Sequence, residues 1–321
     1  MKHPVFLDMD PGIDDSVAIA LADGLGLDIV GIGAVVGNSS VNDTTENALR
    51  VVSYLGMDVP VHRGATRPLV KEHRLNYFLP DGRMTGIVTP DKRPRNALPF
   101  HGRSGLGDTR LPPPRLKESH PSSPLRLIEA AKENRRRLDV VATGPLTDIA
   151  IALLLEPDLP RLIHRLVLMG GAFGLTGFGH GNITPSAEFN VFCDPEAAGL
   201  VMQKFDVVCV GLDVTADPAS ALREEDFPSF SESRRSELAA SLASYPIRRW
   251  GYFNPHDPIA LYYLQNPEAF KTVRADVTVE LSGEREGQTV PSLGRGGTLE
   301  VVTHVDSAAF KRDLFKALGR T

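Results

Sequence analysis

The chain has 321 residues, 42% of them hydrophobic and 23% charged, so it can bury a sizeable core and is not intrinsically disordered. Its 35 basic and 40 acidic residues leave a net charge of −5, which argues against a nucleic-acid or anionic-membrane binder. Two cysteines, Cys193 and Cys209, build neither a disulfide framework nor a four-cysteine zinc site, and no stretch reaches the roughly 18 apolar residues of a membrane span. No signal peptide is visible in Met1–Val5, so a cytoplasmic protein is expected.

Val5-Phe6-Leu7 reads as a short buried strand that runs into Asp8-Met9-Asp10. Pro11-Gly12 supplies a turn, and Asp14 to Leu21 reads as a helix with acidic residues in its first turn and Gly24 as its stop. A second apolar strand, Ile29 to Val36, leads through Gly37-Asn38 to a helix over roughly Asn42–Leu55. Strand, tight turn, helix and strand define a right-handed βαβ unit with a parallel sheet. From about 66 to 124 the periodicity stops, and prolines 68, 80, 90, 94, 99, 112–114, 121 and 124 mark a long irregular excursion. Beyond it, Leu125–Lys132 and Leu146–Leu155 are expected as helices, and Asp139–Ala142 and Leu166–Met169 as strands. Pro195–Lys204 fits a helix and Val207–Leu212 a strand. Val273–Leu281 and Leu299–Thr303 then form strands around a turn-rich segment, before a final helix from Ser307. No repeat or linker divides the chain. The expectation is one α/β domain over residues 1–321: an open, mostly parallel, Rossmann-like sheet flanked by helices, with extra small strands near the C-terminus.

Asp8, Asp10, Asp14 and Asp15 place four carboxylates within eight residues, with no lysine or arginine among them. The strand end and the Pro-Gly turn bring them toward the carboxyl edge of the sheet, where open α/β folds bind ligands. Such a group is stable only if it is protonated or holds a cation, and oxygen-only ligands select Ca²⁺ or Mg²⁺. Acidic capping of the helix explains Asp14 or Asp15 but not Asp8 and Asp10. Asn38, Ala142-Thr143-Gly144 and His256-Asp257-Pro258 each follow a strand or turn, and together they would add oxygen ligands and one imidazole at the same edge.

Asp8-Met9-Asp10-Pro11-Gly12-Ile13-Asp14-Asp15 resembles the N-terminal DxDPGxDD signature of the inosine–uridine-preferring nucleoside hydrolases. Gly37-Asn38, His101-Gly102, Ala142 to Thr147, Met169-Gly170-Gly171, Gly181-Asn182, Glu188-Phe189-Asn190, Asp194 to Ala198 and His256-Asp257-Pro258 follow in the family's order, so the resemblance runs over nearly the whole chain. It implies Ca²⁺-dependent cleavage of the bond between base and ribose. By position, Asp10, Asp15, Asp257 and the Thr143 carbonyl would ligate calcium, with Asp8 just behind them. The ribose hydroxyls would complete the shell. Asp14, Asn38, Met169, Asn182, Glu188 and Asn190 match positions around the ribose, with His101 and Phe189 in the adjoining binding motifs. A homodimer or homotetramer is the assembly expected of such a protein.

The residue types suit that chemistry. Carboxylates stabilise an oxocarbenium-like transition state, and Asp10 is placed to take the proton of a calcium-bound water. His256 can supply a proton or hydrogen bond to the departing base, or serve only to position it. Glu188 and Asn190, two apart on an extended segment, would both face the sugar, while Phe189 between them suits the core. The segment Tyr245–Phe253, with Arg248, Arg249, Trp250 and Tyr252, would wall the base. Met9 stands between two aspartates where one subgroup of the family has cysteine, and Arg103 lies in a loop that covers the pocket. Two other readings compete: a haloacid-dehalogenase-like phosphatase with Asp8 as nucleophile, and a nucleoside-binding module without catalysis. The preferred base stays open at this level. The basic runs Lys132–Arg137 and Arg234-Arg235 read as solvated faces.

Overall fold

Val5, Phe6, Leu7 and Met9 are all buried, and the strand they form, β1 (Pro4–Met9), is third from one edge of a nine-stranded sheet. The architecture is that of a computed structural model, which describes residues 3–70, 100–102, 104–227, 233–294 and 296–319. A strand apolar on both faces needs a helical layer on each side, which is the hallmark of a parallel sheet. β1 pairs in parallel with β2 (Asp28–Ala34) and β4 (Leu138–Ala142), and the parallel set continues through β3 (Val61–Arg63), β5 (Ile163–Met169), β6 (Val207–Val210) and β9 (Leu299–Val305). Antiparallel β7 (Phe270–Val279) and β8 (Thr289–Leu293) close one edge, giving the order β3-β2-β1-β4-β5-β6-β9-β7-β8. The expected single α/β domain with extra C-terminal strands is therefore the fold found; β8 lies inside the segment read only as turn-rich.

Two apolar clusters correspond to the two faces of the sheet. Val5, Leu7 and Met9 point into one, with α1 (Ile13–Gly24), α2 (Val41–Leu55), α9 (Arg234–Trp250), α10 (His256–Tyr263) and α11 (Ser307–Ala317). Phe6 points into the other, beneath α3 (Ser123–Asn134), α4 (Thr147–Leu155) and α7 (Pro195–Lys204). Three short helices, α5 (Leu159–Leu162), α6 (Phe189–Cys193) and α8 (Leu212–Thr215), join these elements. Helix α9 carries both the second basic run and most of the expected aromatic wall; Pro246 inside it breaks the sequence pattern that would announce it. Its basic run is not free in solvent: Arg235 pairs with Asp23 at 2.8 Å and Arg234 lies over the Tyr54 ring. Of the proline-rich excursion, residues 71–99 and Arg103 lie outside the described residues. Residues 104–122 carry no helix or extended strand beyond an isolated bridge at Ser119, and α3 begins at Ser123.

Strand alternation decides the place of Asp8. It shares the Phe6 face, so its carboxyl is buried under α3 and α4, accepting a hydrogen bond from Ser123 Oγ at 3.3 Å beside Asp148. Burial, followed by the charge of Asp148, pushes the Asp8 carboxyl well above the usual range, and burial lifts Asp148 to about 6. Both carboxyls are thereby biased toward their protonated forms, and the pair is suited to share a proton. A carboxyl held above its unfolded value contributes stability at low pH that is lost as pH rises toward the folded value. Asp8→Asn keeps a donor toward Asp148 at every pH. Its melting temperature relative to wild type should therefore climb as pH rises above the unfolded carboxylate range, by at most about 2 °C per pH unit. A difference that stays flat in thermal scans over that range would contradict the shared proton.

Candidate active site

The chain runs outward from β1 to β2 and β3, then resumes on the other side with β4, β5 and β6, so the order reverses between β1 and β4. Ligands bind at such a switch point, outside the carboxyl ends of the strands. Asp10 follows β1, Asn38 follows β2, Thr143 follows β4 and Met169 ends β5, which gathers all four at this rim. The Pro11-Gly12 turn starts α1 at once, with Gly12 as N-cap and its N–H donating to Asp15 Oδ2 at 3.0 Å. The first turn of α1 thereby presents Asp14 and Asp15, and α10 brings Asp257 from a segment more than 240 residues later in the chain.

Asp14, Asp15 and Asp257 place donor oxygens within 4.8 Å of one another, and all three are buried. Asp10, 0% exposed, adjoins them: its Oδ2 accepts the Asn38 N–H at 2.6 Å, whereas its Oδ1 accepts no hydrogen bond. Gly37 permits this approach, since a Cβ there would lie 1.9 Å from Asp10 Oδ2. Asp15 also accepts the Thr143 hydroxyl at 2.8 Å and Asn38 Nδ2 at 3.1 Å, while Asp14 Oδ1 has no donor. Burial first, and then mutual repulsion, pushes Asp10 and Asp257 well above the usual carboxylate range and Asp14 up to about 8. Burial also raises Asp15. No lysine or arginine among the described residues pairs with these four groups. Buried like charges, oxygen-only donors and two orphaned carboxylate oxygens fit a hard divalent cation.

Above the carboxylates lies a cleft of about 390 Å³, within the range of small-ligand sites. Asp14, Asn38, His101, Thr143, Met169, Asn182, Glu188, Phe189, Asn190, His256 and Asp257 all line it. Asp10 and Asp15 are buried and outside the lining, and Asp8 is set apart with Asp148. That placement removes the phosphatase reading, because its nucleophile would be sealed under α3 and α4. Glu188 and Asn190 do not sit on an extended segment. Glu188 caps α6, its carboxylate accepting the N–H groups of Gly171, Asn190 and Val191 at 2.9–3.1 Å. Asn190 donates to the carbonyls of Thr143 at 2.8 Å and Met169 at 3.1 Å, and Asn182 Oδ1 accepts from the Phe189 N–H at 2.9 Å.

The two histidines behave differently from the expectation of a proton held near neutrality. Burial brings His256 down to about 4, and burial together with His256 does the same to His101. Both are neutral at pH 7. His256 Nδ1 is 2.8 Å from Thr215 Oγ1, and His101 Nδ1 accepts the Ile13 N–H at 3.0 Å. The aromatic wall is only partly as expected. Trp250 and Tyr252 line the cleft while 41% and 44% exposed, whereas Arg248 and Arg249 turn to Asp108, with Arg249 over the Tyr245 ring at 3.6 Å. Sequence reading missed Phe100, which packs on Trp250 at 5.4 Å, and Thr215, whose link to His256 joins the β6–α8 end to α10. Phe100 stands beside His101, a signal within reach; nothing local marks Thr215.

The fold and the site together define a hydrolase-like α/β protein with a buried acidic group of the kind that could hold a cation. Residues 5–312 match the family described as inosine-uridine preferring nucleoside hydrolase, and the chain belongs to that family. It is 35% identical over 303 residues to the pyrimidine-specific ribonucleoside hydrolase RihA of Citrobacter koseri, covering 90% of this chain and 88% of that one. It is 34% identical over 327 residues to RihA of Shigella flexneri serotype 5b, covering 97% and 96%. Among solved structures it resembles a purine-preferring ribonucleoside hydrolase from Gardnerella vaginalis, with TM-score 0.84, 26% identity and 98% of each chain covered. No helix among the described residues is long and apolar enough to cross a membrane.

Proposed function

We propose that this protein hydrolyses the N-glycosidic bond of ribonucleosides, releasing free base and ribose, with Ca²⁺ held by Asp10, Asp15, Asp257 and the Thr143 carbonyl. The observation that carries this reading is the group of buried carboxylates, with unpartnered oxygens on Asp10 and Asp14, directly beneath a nucleoside-sized cleft in a member of this family. When bound, the cation neutralises the carboxylates, orients the ribose hydroxyls and makes water a better nucleophile. Asp10 Oδ1, with no donor of its own, takes the proton of the water that attacks the anomeric carbon as the bond to the base breaks. The Asn38 N–H holds the other oxygen, fixing the carboxylate plane. Asp14, Asn182, Glu188 and Asn190 hold the sugar, and the neighbouring carboxylates stabilise the positive charge that develops on it. His256 is oriented by Thr215 and, being neutral, assists the leaving base through an N–H hydrogen bond. Trp250 and Tyr252 offer faces on which a base stacks.

The greater identity to pyrimidine-specific relatives favours uridine and cytidine over purine nucleosides. The same reading carries the cytoplasmic setting and the homodimeric or homotetrameric assembly, which sedimentation would measure. The test is incubation with uridine, cytidine, inosine, adenosine and guanosine in Ca²⁺, with base and nucleoside resolved by chromatography. Release of uracil and cytosine faster than purines is expected. Binding of the nucleosides without release of any base would overturn the reading.

A further inference from the structure

The opposite rim of the sheet carries a second cluster of potential ligands. His3, just before β1, Asp139 on β4 and His164 on β5 bring ligand atoms within 4.8 Å of one another at the amino ends of three adjacent strands. His164 Nδ1 lies 2.7 Å from Asp139 Oδ1 and 3.1 Å from His3 Nδ1, and His3 Nδ1 lies 3.5 Å from Asp139 Oδ2. Ligands about 2.0–2.1 Å from a tetrahedral zinc ion stand roughly 3.3 Å apart, so these separations need only small adjustments.

The backbone shows a further device. In the parallel pairing of β4 with β5, Leu138 faces Ile163 and Asp139 faces Arg165, so the register shifts at that step and His164 is the additional residue. A bulge re-aims one side chain out of the ladder. Here it brings the His164 ring onto Asp139 and edge-on to His3, the ring centroids 4.2 Å apart. Asp139 is nearly buried, with its side chain 12% exposed, while the His3 and His164 side chains are 31% and 38% exposed. The carboxylate is thereby fixed as a platform, and the two rings leave a solvent-facing position for water as a fourth ligand.

We propose that His3, Asp139 and His164 form a binding site for a divalent transition metal of the zinc class, separate from the carboxylates of the cleft. Two imidazoles and one carboxylate suit Zn²⁺ or Co²⁺ and discriminate against Ca²⁺, which takes six to eight oxygens. Bound there, the ion ties the amino ends of β1, β4 and β5 together, and it stabilises the fold by an amount that grows with the logarithm of its free concentration above Kd.

The probes are Co²⁺ and Zn²⁺ added to untagged, metal-stripped protein resupplied with excess Ca²⁺, which occupies the carboxylate site. Wild type should take up one Co²⁺ per chain with the visible absorption of a histidine-ligated tetrahedral ion, and one Zn²⁺ by calorimetry. Zn²⁺ should raise its melting temperature. His3→Ala and His164→Ala should lose both the absorption and the thermal shift while keeping ribonucleoside turnover, which also shows that they fold. Absence of uptake by wild type, or uptake by the two variants equal to wild type, would overturn the site and leave a hydrogen-bonded clamp.

Discussion

Asp10→Ala and Asp10→Asn should each lower kcat by about a thousandfold or more while the unfolding transition stays cooperative. A positioned general base contributes roughly 10²–10⁴, and loss of one cation ligand adds to it. The size of the effect follows from how little else is available. Asp15 accepts hydrogen bonds from Gly12, Asn38 and Thr143, and with the cation on its remaining lone pair it cannot replace Asp10 as proton acceptor. The asparagine variant is the sharper one, since its amide oxygen still accepts the Asn38 N–H and only the basicity and charge are removed. Measured without Ca²⁺, stability should suffer little in either case, because one of several mutually repelling buried carboxylates has gone. Steady-state kinetics on the preferred nucleoside, beside a thermal scan, would decide it. Turnover within a few-fold of wild type would remove Asp10 from the proposed mechanism.

Removal of the cation should abolish turnover and also make stability fall as pH rises. In the stripped protein, Asp10, Asp14 and Asp257 have folded pKa values above their unfolded ones, Asp14 at about 8. Each contributes stability that is present at low pH and lost as pH rises toward its folded value. A chelated sample should therefore melt progressively lower between about pH 5 and pH 8. With Ca²⁺ the ionised form is the one that binds, so binding strengthens over the same interval, and the loaded carboxylates, ionised both folded and unfolded, should leave the melting temperature nearly level. The gap between calcium-loaded and chelated protein should widen with pH. Melting curves of the two samples across that range test this, and a gap that is constant or narrows would show that these carboxylates do not hold the ion.

The outcome for the fold and site follows from the range of the interactions involved. The βαβ opening was legible because a run such as Val5-Phe6-Leu7 and a Pro11-Gly12 turn act within a few residues. That acidic residues of the first motif gather at the carboxyl edge of the sheet was legible, because a strand end and a tight turn act over short spacing; that Asp8 stands apart from them was not. The long helix α9 was not, since Pro246 interrupts it and its tertiary contacts with α1 outweigh the local signal. Nor was the bond of Glu188 to the Gly171 N–H, which comes from a different part of the chain.

The sequence by itself determined the class of fold, the ordered motifs and the chemical character of the site, all of which are set by residue type and short spacing. Tertiary structure alone decided which aspartates act together. Strand alternation sent Asp8 under α3 and α4 to Asp148, while the end of β1 released Asp10 toward Asp15 and Asp257. It also decided that His101 and His256 are neutral, because burial is a property of the packed surroundings, which no local spacing records. The His3, Asp139 and His164 cluster has the same origin: residues far apart in the chain meet only when parallel strands align and one of them bulges.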